Sequence, residues 1–179
     1  MEESKKTTAQ SPNDPVEACA HFSRLIGGDT NLVLHGGGNS SVKASRPDIT
    51  GQDRDAIYVK GSGWDMGSLE VPGLTPLDLP RLKELLELGE LSDVDMMREL
   101  SAAKLDPGSP NPSVETLLHA FIPYRAVQHS HADVIVTLTN LADMNAPDEV
   151  VRDIFGDEVI VIPYVMPGFD LAQEVRENW

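Results

Sequence analysis

Two histidines that could bind one metal ion stand two residues apart, His129 and His131, in the run VQHSHADVIVTLTN. The β-branched residues of this run predict a strand over residues 126–140, on which residues i and i+2 project from the same face about 6 to 7 Å apart. Two imidazoles at this spacing can converge on one metal ion. Two strand histidines that bond only to their neighbours would give the same pattern, so the spacing alone does not decide between the two.

A catalytic zinc ion usually has three protein ligands, so this pair needs a further residue. The remaining histidines are His21, His35 and His119. His119 lies four residues after Glu115, and the two share one face of a helix predicted over residues 113–121. A carboxylate beside a metal serves as a general base, or as a ligand that moves away when substrate arrives. On periodicity alone, a buried, hydrogen-bonded His119 and a solvated Glu115 at the helix start are the more common outcomes.

Two glycine-rich segments are the other features with chemical meaning, GGGNSS over residues 36–41 and KGSG over residues 60–63. Glycines let successive backbone N–H groups point at one spot and let a ligand approach closely, which suits an anion such as phosphate. Neither segment matches GxxxxGK[ST], and the first departs from GxGxxG at its last position, so a nucleotide-binding loop is not supported. Taken alone, each segment is more typical of a turn between strands.

The charge balance restricts the partners of the chain. Lys and Arg number 14 against 29 Asp and Glu in 179 residues, a net charge of −15. Nucleic-acid-binding proteins need a basic surface to displace counterions, so we expect no nucleic-acid partner. An anionic ligand must then be held by local N–H groups or by a few well-placed cations.

The composition also bears on the compartment. No apolar run approaches the roughly 18 residues of a membrane span, so we expect no membrane partner. The opening run MEESKKTTAQSPND has no apolar segment of a secretory signal. The single cysteine, Cys19, forms no intramolecular disulfide. These features predict a cytoplasmic protein.

Periodicity and turn signals predict a mixed α/β chain. Residues 1–13 are polar and lack periodicity, so we expect a disordered tail followed by one domain over residues 14–179. The predicted strands cover residues 31–35, 40–44, 56–60, 126–140 and 158–163. The predicted helices cover residues 15–26, 80–88, 93–105, 113–121 and 148–155, with a further helix starting at Asp170.

Four motifs, taken in order along the chain, carry a resemblance to a known family. HGGGNSSVK, YVKGSGWDM, DPGSPNPSVETLLHAFIP and HSHADVIVTLTN resemble segments of the class II aldolase/adducin family. The sequence is most similar to the aldolase part of the bifunctional rhamnulose-1-phosphate aldolase/alcohol dehydrogenase proteins. The resemblance runs from about residue 14 to the C-terminus.

The resemblance implies a fold and a reaction. The implied fold is a three-layer α/β/α domain with a largely antiparallel central sheet. The implied reaction is zinc-dependent retro-aldol cleavage of a ketose 1-phosphate, such as rhamnulose or fuculose 1-phosphate, to dihydroxyacetone phosphate and an aldehyde. Relatives of this kind form homo-oligomers, usually tetramers, so we expect a homo-oligomer.

The resemblance also implies roles for individual residues. His129 and His131 resemble the first two zinc ligands, and Glu115 resembles the catalytic acid/base. The residues that resemble the phosphate site are Gly38, Asn39, Ser62, Gly63 and Ser113. The third zinc histidine of the family lies beyond the position of Trp179, so we expect an incomplete, C-terminally truncated aldolase domain.

A noncatalytic role is the alternative. Adducin heads resemble this fold without its chemistry, and a truncated aldolase-like module would bind a sugar phosphate or a protein partner. In that case the metal site is empty or weakly held, and no dihydroxyacetone phosphate is released.

Overall fold

A four-stranded sheet forms the centre of the structure, a computed structural model that describes residues 13–140 and 147–179. Its strands are β1 (Asn39–Pro47), β2 (Asp53–Lys60), β3 (Leu74–Asp78) and β4 (Ala126–His129). They lie in the order β3-β2-β1-β4, and each neighbouring pair is antiparallel, which confirms the predicted antiparallel sheet. The tail predicted over residues 1–13 lies outside the described residues except for Asn13.

Helices cover the sheet. They are α1 (Pro15–Gly27), α2 (Leu79–Leu85), α3 (Asp93–Ala102), α4 (Thr116–Phe121), α5 (Asp133–Asn140), α6 (Pro147–Phe155) and α7 (Phe169–Asn178). The helical predictions are confirmed, with ends that differ by a few residues. Within the described part of the chain, none of these helices has the length and apolar character that crossing a membrane requires.

The helices pack on both faces of the sheet because side chains alternate along each strand. On β2, Ile57 and Val59 join a large core with α2, α3, α4 and α7. Tyr58, between them, packs on the opposite side against a smaller core that α1 completes. The arrangement confirms the three-layer α/β/α fold. Fully buried members of the large core include Leu77, Leu82, Met96, Leu100, Leu117 and Phe169.

The first helix is fixed at both ends. Asp14 caps it, since its Oδ1 accepts hydrogen bonds from the backbone N–H of Val16 at 2.8 Å and of Glu17 at 2.9 Å. At the other end, a Cβ on Gly27 would lie 2.3 Å from the backbone nitrogen of Gly67. Helix α1 therefore contacts the turn Met66–Ser68 backbone to backbone, which places Met66 close to the start of β1.

The strand predicted over residues 126–140 is wrong in its second half. Strand β4 ends at His129, and α5 begins at Asp133. His129 pairs with Asn39, the first residue of β1, and the chain before Asn39 is a loop. A longer β4 would have no partner there for its backbone N–H and C=O groups, and this loss outweighs the β preference of its side chains.

Two further strand predictions are wrong and one strand was missed. Residues 31–35 form turns, in which His35 has a φ of 52°. Residues 158–163 are irregular, since no described strand pairs with them. The missed strand β3 contains Pro76, which speaks against a strand but is tolerated at a sheet edge, where β3 lies among the described strands.

Candidate active site

A carboxylate and an imidazole meet at the end of the sheet where β4 stops. Nδ1 of His129 donates a hydrogen bond to Oε2 of Glu115 at 3.2 Å. Nδ2 of Asn39 donates to the same oxygen, also at 3.2 Å. Asn39 and His129 can both reach this oxygen because they are directly paired residues of β1 and β4. Sheet register and the start of α4 thus bring three sequence-predicted residues together.

Glu115 was expected on one helix face with His119, and the structure corrects that expectation. Helix α4 begins at Thr116, and Glu115 is the residue before it. Its side chain points to the strand ends, while His119, only 1% exposed, has its Nδ1 2.8 Å from Oγ of Ser41 on β1. The two residues therefore have different roles. His119 is the buried, hydrogen-bonded histidine that periodicity favoured.

The predicted phosphate residue Ser113 belongs to the same network. Its hydroxyl oxygen accepts from Nδ2 of Asn39 at 2.8 Å and from the backbone N–H of Glu115 at 3.2 Å. Oδ1 of Asn39 in turn accepts from the backbone N–H of Ser40 at 2.9 Å. Both ends of the Asn39 side chain are thus held, so this buried amide fixes the position of the carboxylate.

Glu115 is ionised in this setting. Burial raises the pKa of its carboxyl, but the hydrogen bond and charge of His129, the hydrogen bond from Asn39 and the charge of His119 together lower it to about 2. Its side chain keeps 16% of its surface exposed, so a ligand can still reach it. A carboxylate that is ionised and accessible can accept a proton from a bound molecule, and a pKa of about 2 makes it a weak base while these hydrogen bonds are in place.

The second imidazole lies beside the first. The ring centroids of His129 and His131 are 4.8 Å apart and the rings are tilted by 57°. His131 follows the strand rather than continuing it, and its backbone N–H donates to the carbonyl of Leu32 at 2.8 Å. Gly37 makes room for its ring, since a Cβ there would lie 2.9 Å from Nδ1 of His131. The two rings therefore lie side by side, although a turn and not a continuing strand places the second one.

The other histidines do not complete a metal site in this arrangement. His119 faces Ser41, His21 packs edge-to-face against Phe22 on α1, and His35 lies in a turn. Within residues 13–140 and 147–179, no group of three or more His, Cys, Asp and Glu side chains is placed to hold a metal ion. The donor set of the described residues is thus two neighbouring imidazoles with a carboxylate next to them.

The two glycine loops meet through the segment that precedes α4. In the first, Gly38 has a φ of +71°, and a Cβ there would lie 2.6 Å from Sδ of Met66 and 2.9 Å from the carbonyl oxygen of His129. In the second, the backbone N–H of Ser62 donates to the carbonyl of Asn111 at 2.8 Å. Since this N–H is already paired, the hydroxyl is the remaining hydrogen-bond donor of Ser62.

Gly63 completes the second loop. It has a φ of +83° and open space where a Cβ would stand. The first loop contacts Ser113 through Asn39, and the second contacts Asn111, two residues earlier. Both loops therefore border the carboxylate network, although no described hydrogen bond joins Ser62 or Gly63 to Glu115.

Sequence reasoning missed one cation at this site. Lys60, only 4% exposed, ends β2 directly before the second loop, and its Nζ donates to the carbonyl of Trp64 at 2.7 Å. Burial lowers the pKa of its ammonium group, while the charges of Glu115 and Asp65 raise it. The sequence signal that could have identified this cation is the position of the lysine immediately before Gly61-Ser62-Gly63. Lys60 supplies a local positive charge in a chain whose net charge is −15.

Comparison with known families gives a match over most of the chain. Residues 17–179 match the family model described as the class II aldolase and adducin N-terminal domain. Among curated proteins, the chain is 37% identical over 163 residues to a Bacillus subtilis (strain 168) protein named uncharacterized oxidoreductase YuxG. The match covers 91% of this chain and 23% of that protein, so the chain spans about a quarter of its relative.

Solved structures give a consistent result. The N-terminal class II aldolase domain of a conserved protein from Thermoplasma acidophilum superposes with a TM-score of 0.88 at 36% identity, covering 98% of this chain and 80% of that one. The L-fuculose-1-phosphate aldolase from Thermus thermophilus superposes with a TM-score of 0.51 at 16% identity, covering 91% and 70%. The second likeness is one of fold alone.

Proposed function

This chain belongs to the class II aldolase and adducin family, and from that premise we propose that it cleaves a ketose 1-phosphate by a retro-aldol reaction. The products would be dihydroxyacetone phosphate and an aldehyde, with rhamnulose 1-phosphate and fuculose 1-phosphate as the first substrates to test. One observation carries the proposal. The ionised carboxylate of Glu115 is held between Asn39 and His129, beside a second imidazole.

The proposal includes a divalent metal ion, and zinc is the first ion to test. Imidazole nitrogens are ordinary zinc ligands, and the neighbouring rings of His129 and His131 match that chemistry. Nδ1 of His129 is taken by Glu115, so Nε2 is its nitrogen left for a metal. These two residues would hold the ion, and a further ligand would have to come from outside the described group. When bound, the ion supplies Lewis acidity toward the oxygens of the triose half of the substrate.

Glu115 performs the proton transfer in this mechanism. Its carboxylate takes the proton from the substrate hydroxyl that becomes the aldehyde carbonyl, and the adjacent carbon–carbon bond breaks. The electron pair of that bond passes to the triose carbon, which then receives the proton back from Glu115. The atoms and charges balance without a further reactant, and Asn39 holds the carboxylate in position throughout.

The phosphate group would lie between the two glycine loops. Gly38 and Gly63 leave room for close approach, and the hydroxyls of Ser62 and Ser113 are donors at the border of the site. Asn39 positions Ser113 by its hydrogen bond. Lys60 adds a positive charge close to both loops, which offsets the repulsion that a dianion meets from an acidic chain.

A noncatalytic sugar-phosphate-binding module is the second candidate. The absence of a third metal ligand among the described residues favours it. For either function we propose that the chain forms a homo-oligomer. Analytical ultracentrifugation measures its oligomeric state.

The deciding experiment is release of dihydroxyacetone phosphate from each of the two ketose 1-phosphates. The purified chain is assayed with added zinc and again after treatment with a chelator, using NADH oxidation by glycerol-3-phosphate dehydrogenase as the readout. The proposed aldolase releases the triose phosphate only with metal. Binding of a ketose phosphate without any triose release would establish the second candidate instead.

A further inference from the structure

A pocket lies at the opposite end of the sheet from the carboxylate network. It is a cavity of about 480 Å³ between the β1–β2 turn and the chain that follows α3. The residues that line it are Arg46, Pro47, Asp48, Ile49, Arg54, Lys104, Leu105 and Pro107. Along β1, Arg46 is seven residues from Asn39, which corresponds to about 23 Å. The pocket is therefore separate from the site described above.

Two arginines face each other across the strands at this pocket. Arg46 and Arg54 are directly paired residues of β1 and β2. Like charges directly opposite each other in an antiparallel pair destabilise it unless a counter-charge is present. Arg54 has one, since its Nε lies 3.0 Å from Oδ2 of Asp48. Among the residues that the structure describes, Arg46 has no ion-pair partner.

Asp48 is already committed to the turn. Its Oδ1 accepts hydrogen bonds from the backbone N–H of Thr50 at 2.7 Å, the hydroxyl of Thr50 at 2.6 Å and the backbone N–H of Gln52 at 3.1 Å. Its other oxygen pairs with Arg54. One carboxylate bound in this way cannot also neutralise Arg46.

Lys104 brings a third positive charge. Its Nζ donates to the carbonyl oxygens of Pro107 at 3.1 Å and Ser109 at 2.5 Å. Carbonyl groups fix the position of the ammonium group without cancelling its charge. The lining thus holds three cations and one carboxylate, a local excess of two positive charges in a chain of net charge −15.

We propose that this pocket binds a phosphorylated small molecule, with Arg46, Arg54 and Lys104 contacting the phosphate. Guanidinium groups bind phosphate through paired N–H groups, and the ammonium group adds a point charge. Ile49, which is fully exposed, and Leu105 supply apolar groups at the edge of the pocket for the carbon skeleton of the ligand. A large polyanion would extend beyond the pocket onto an acidic surface, so the cavity fits a small anion. This assignment does not depend on the proposed aldolase activity.

Calorimetric titration of the full chain with phenyl phosphate at low salt tests the proposal. Arg46→Gln and Lys104→Gln should each weaken binding about tenfold. Arg46→Lys, which keeps the charge but loses the paired N–H groups, should weaken binding less than Arg46→Gln. The matched control is Arg98→Gln, which removes one exposed positive charge on α3, outside the pocket, and should leave affinity unchanged. Circular dichroism confirms that each variant is folded.

Amide chemical shifts locate the bound phosphate independently of the variants. Phenyl phosphate should shift the amides of Thr50, Gln52 and Lys104 in the parent and lose this effect in Arg46→Gln. Three results would overturn the proposal. They are no binding to the parent, equal binding to the parent and Arg46→Gln, or shifts confined to the glycine loops around Gly38 and Gly63.

Discussion

Asn39 and His129 are directly opposite each other in the antiparallel pair of β1 and β4, and both donate to one oxygen of Glu115. A backbone register therefore sets the geometry of a carboxylate that lies 76 residues from one partner and 14 from the other in sequence. The consequences can be tested residue by residue.

Replacing Asn39 by alanine should lower the free energy of unfolding by about 1 to 3 kcal/mol. Asn39 is 1% exposed, and its loss leaves the hydroxyl of Ser113 and the carboxylate of Glu115 short of a donor. Urea denaturation measures the change. Asn178→Ala, near the C-terminal end of α7, is the control and should change stability by less than about 0.5 kcal/mol. Equal effects of the two substitutions would contradict the buried network.

Glu115→Gln should reduce the rate of dihydroxyacetone phosphate release by about 100-fold or more, because the amide cannot accept the proton. The fold should be retained, since glutamine preserves the shape of the side chain. Glu84→Gln on α2 removes an exposed carboxylate and should leave the rate unchanged. The role given to Glu115 would be wrong if Glu115→Gln kept the parental rate.

Removing either imidazole of the pair should abolish site-specific zinc binding. Metal-free His129→Ala and His131→Ala are titrated with zinc by calorimetry beside the parent. His21→Ala is the matched control, because its ring contacts Phe22 on α1 and should not affect zinc. The metal hypothesis would be wrong if the parent bound no zinc at a defined stoichiometry. It would also be wrong if His21→Ala lost as much zinc affinity as His129→Ala and His131→Ala.

His119 should make the folded state sensitive to acid. Burial lowers its pKa to about 4, the charge of Glu115 opposes this shift, and the charges of His129 and Lys43 add to it. The unfolded chain binds a proton near pH 6.5 that the folded chain binds only near pH 4, so stability falls as pH drops through this window. The full effect is roughly 3 kcal/mol.

Denaturation at several pH values compares the parent with His119→Gln. The variant should be less stable at neutral pH but should lose less stability between pH 6.5 and 4. Parallel stability curves for the two proteins would show that His119 does not titrate in this way.

Gly38→Ala should destabilise the chain more than Gly51→Ala. Both glycines have positive φ, +71° and +80°, so an alanine is strained at either position. At Gly51 a Cβ meets open space, whereas at Gly38 it meets Sδ of Met66 at 2.6 Å and the carbonyl oxygen of His129 at 2.9 Å. The difference in unfolding free energy isolates this steric cost, expected at about 1 to 3 kcal/mol. A difference near zero would show that the loop relaxes freely.

Local patterns predicted much of the fold, because several signals are contained within a few residues. Asp14 followed by Pro15 marks the start of α1, and the apolar run of residues 56–60, which contains β-branched and aromatic residues, marks β2. The second half of the run after His129 shows the limit of this approach. Its β-branched residues form a helix, because β1 begins at Asn39 and offers them no strand to pair with. The position at which β1 begins depends on residues distant in sequence, which a local pattern does not contain.

The sequence allowed us to predict which residue types form the candidate site, but not which contacts they make. His129, His131 and Glu115 were identified from motif and resemblance, and in the structure His129 contacts the carboxylate of Glu115 and lies beside the ring of His131. The buried lysine at position 60 was missed, because its burial depends on the packing of Trp64 and the loop after it. A sequence pattern records which groups are available, whereas burial and pairing come from the whole fold.

The geometry of the site also depends on the register in which β4 pairs with β1. If β4 slipped by one residue along β1, Gln128 would stand opposite Asn39 and the ring of His129 would turn toward the α1 side of the sheet. Such a slipped chain would keep its helices and most of its sheet, yet carboxylate and imidazole would be on opposite faces. Loss of zinc affinity without loss of the far-ultraviolet spectrum would thus be the signature of a misaligned edge strand.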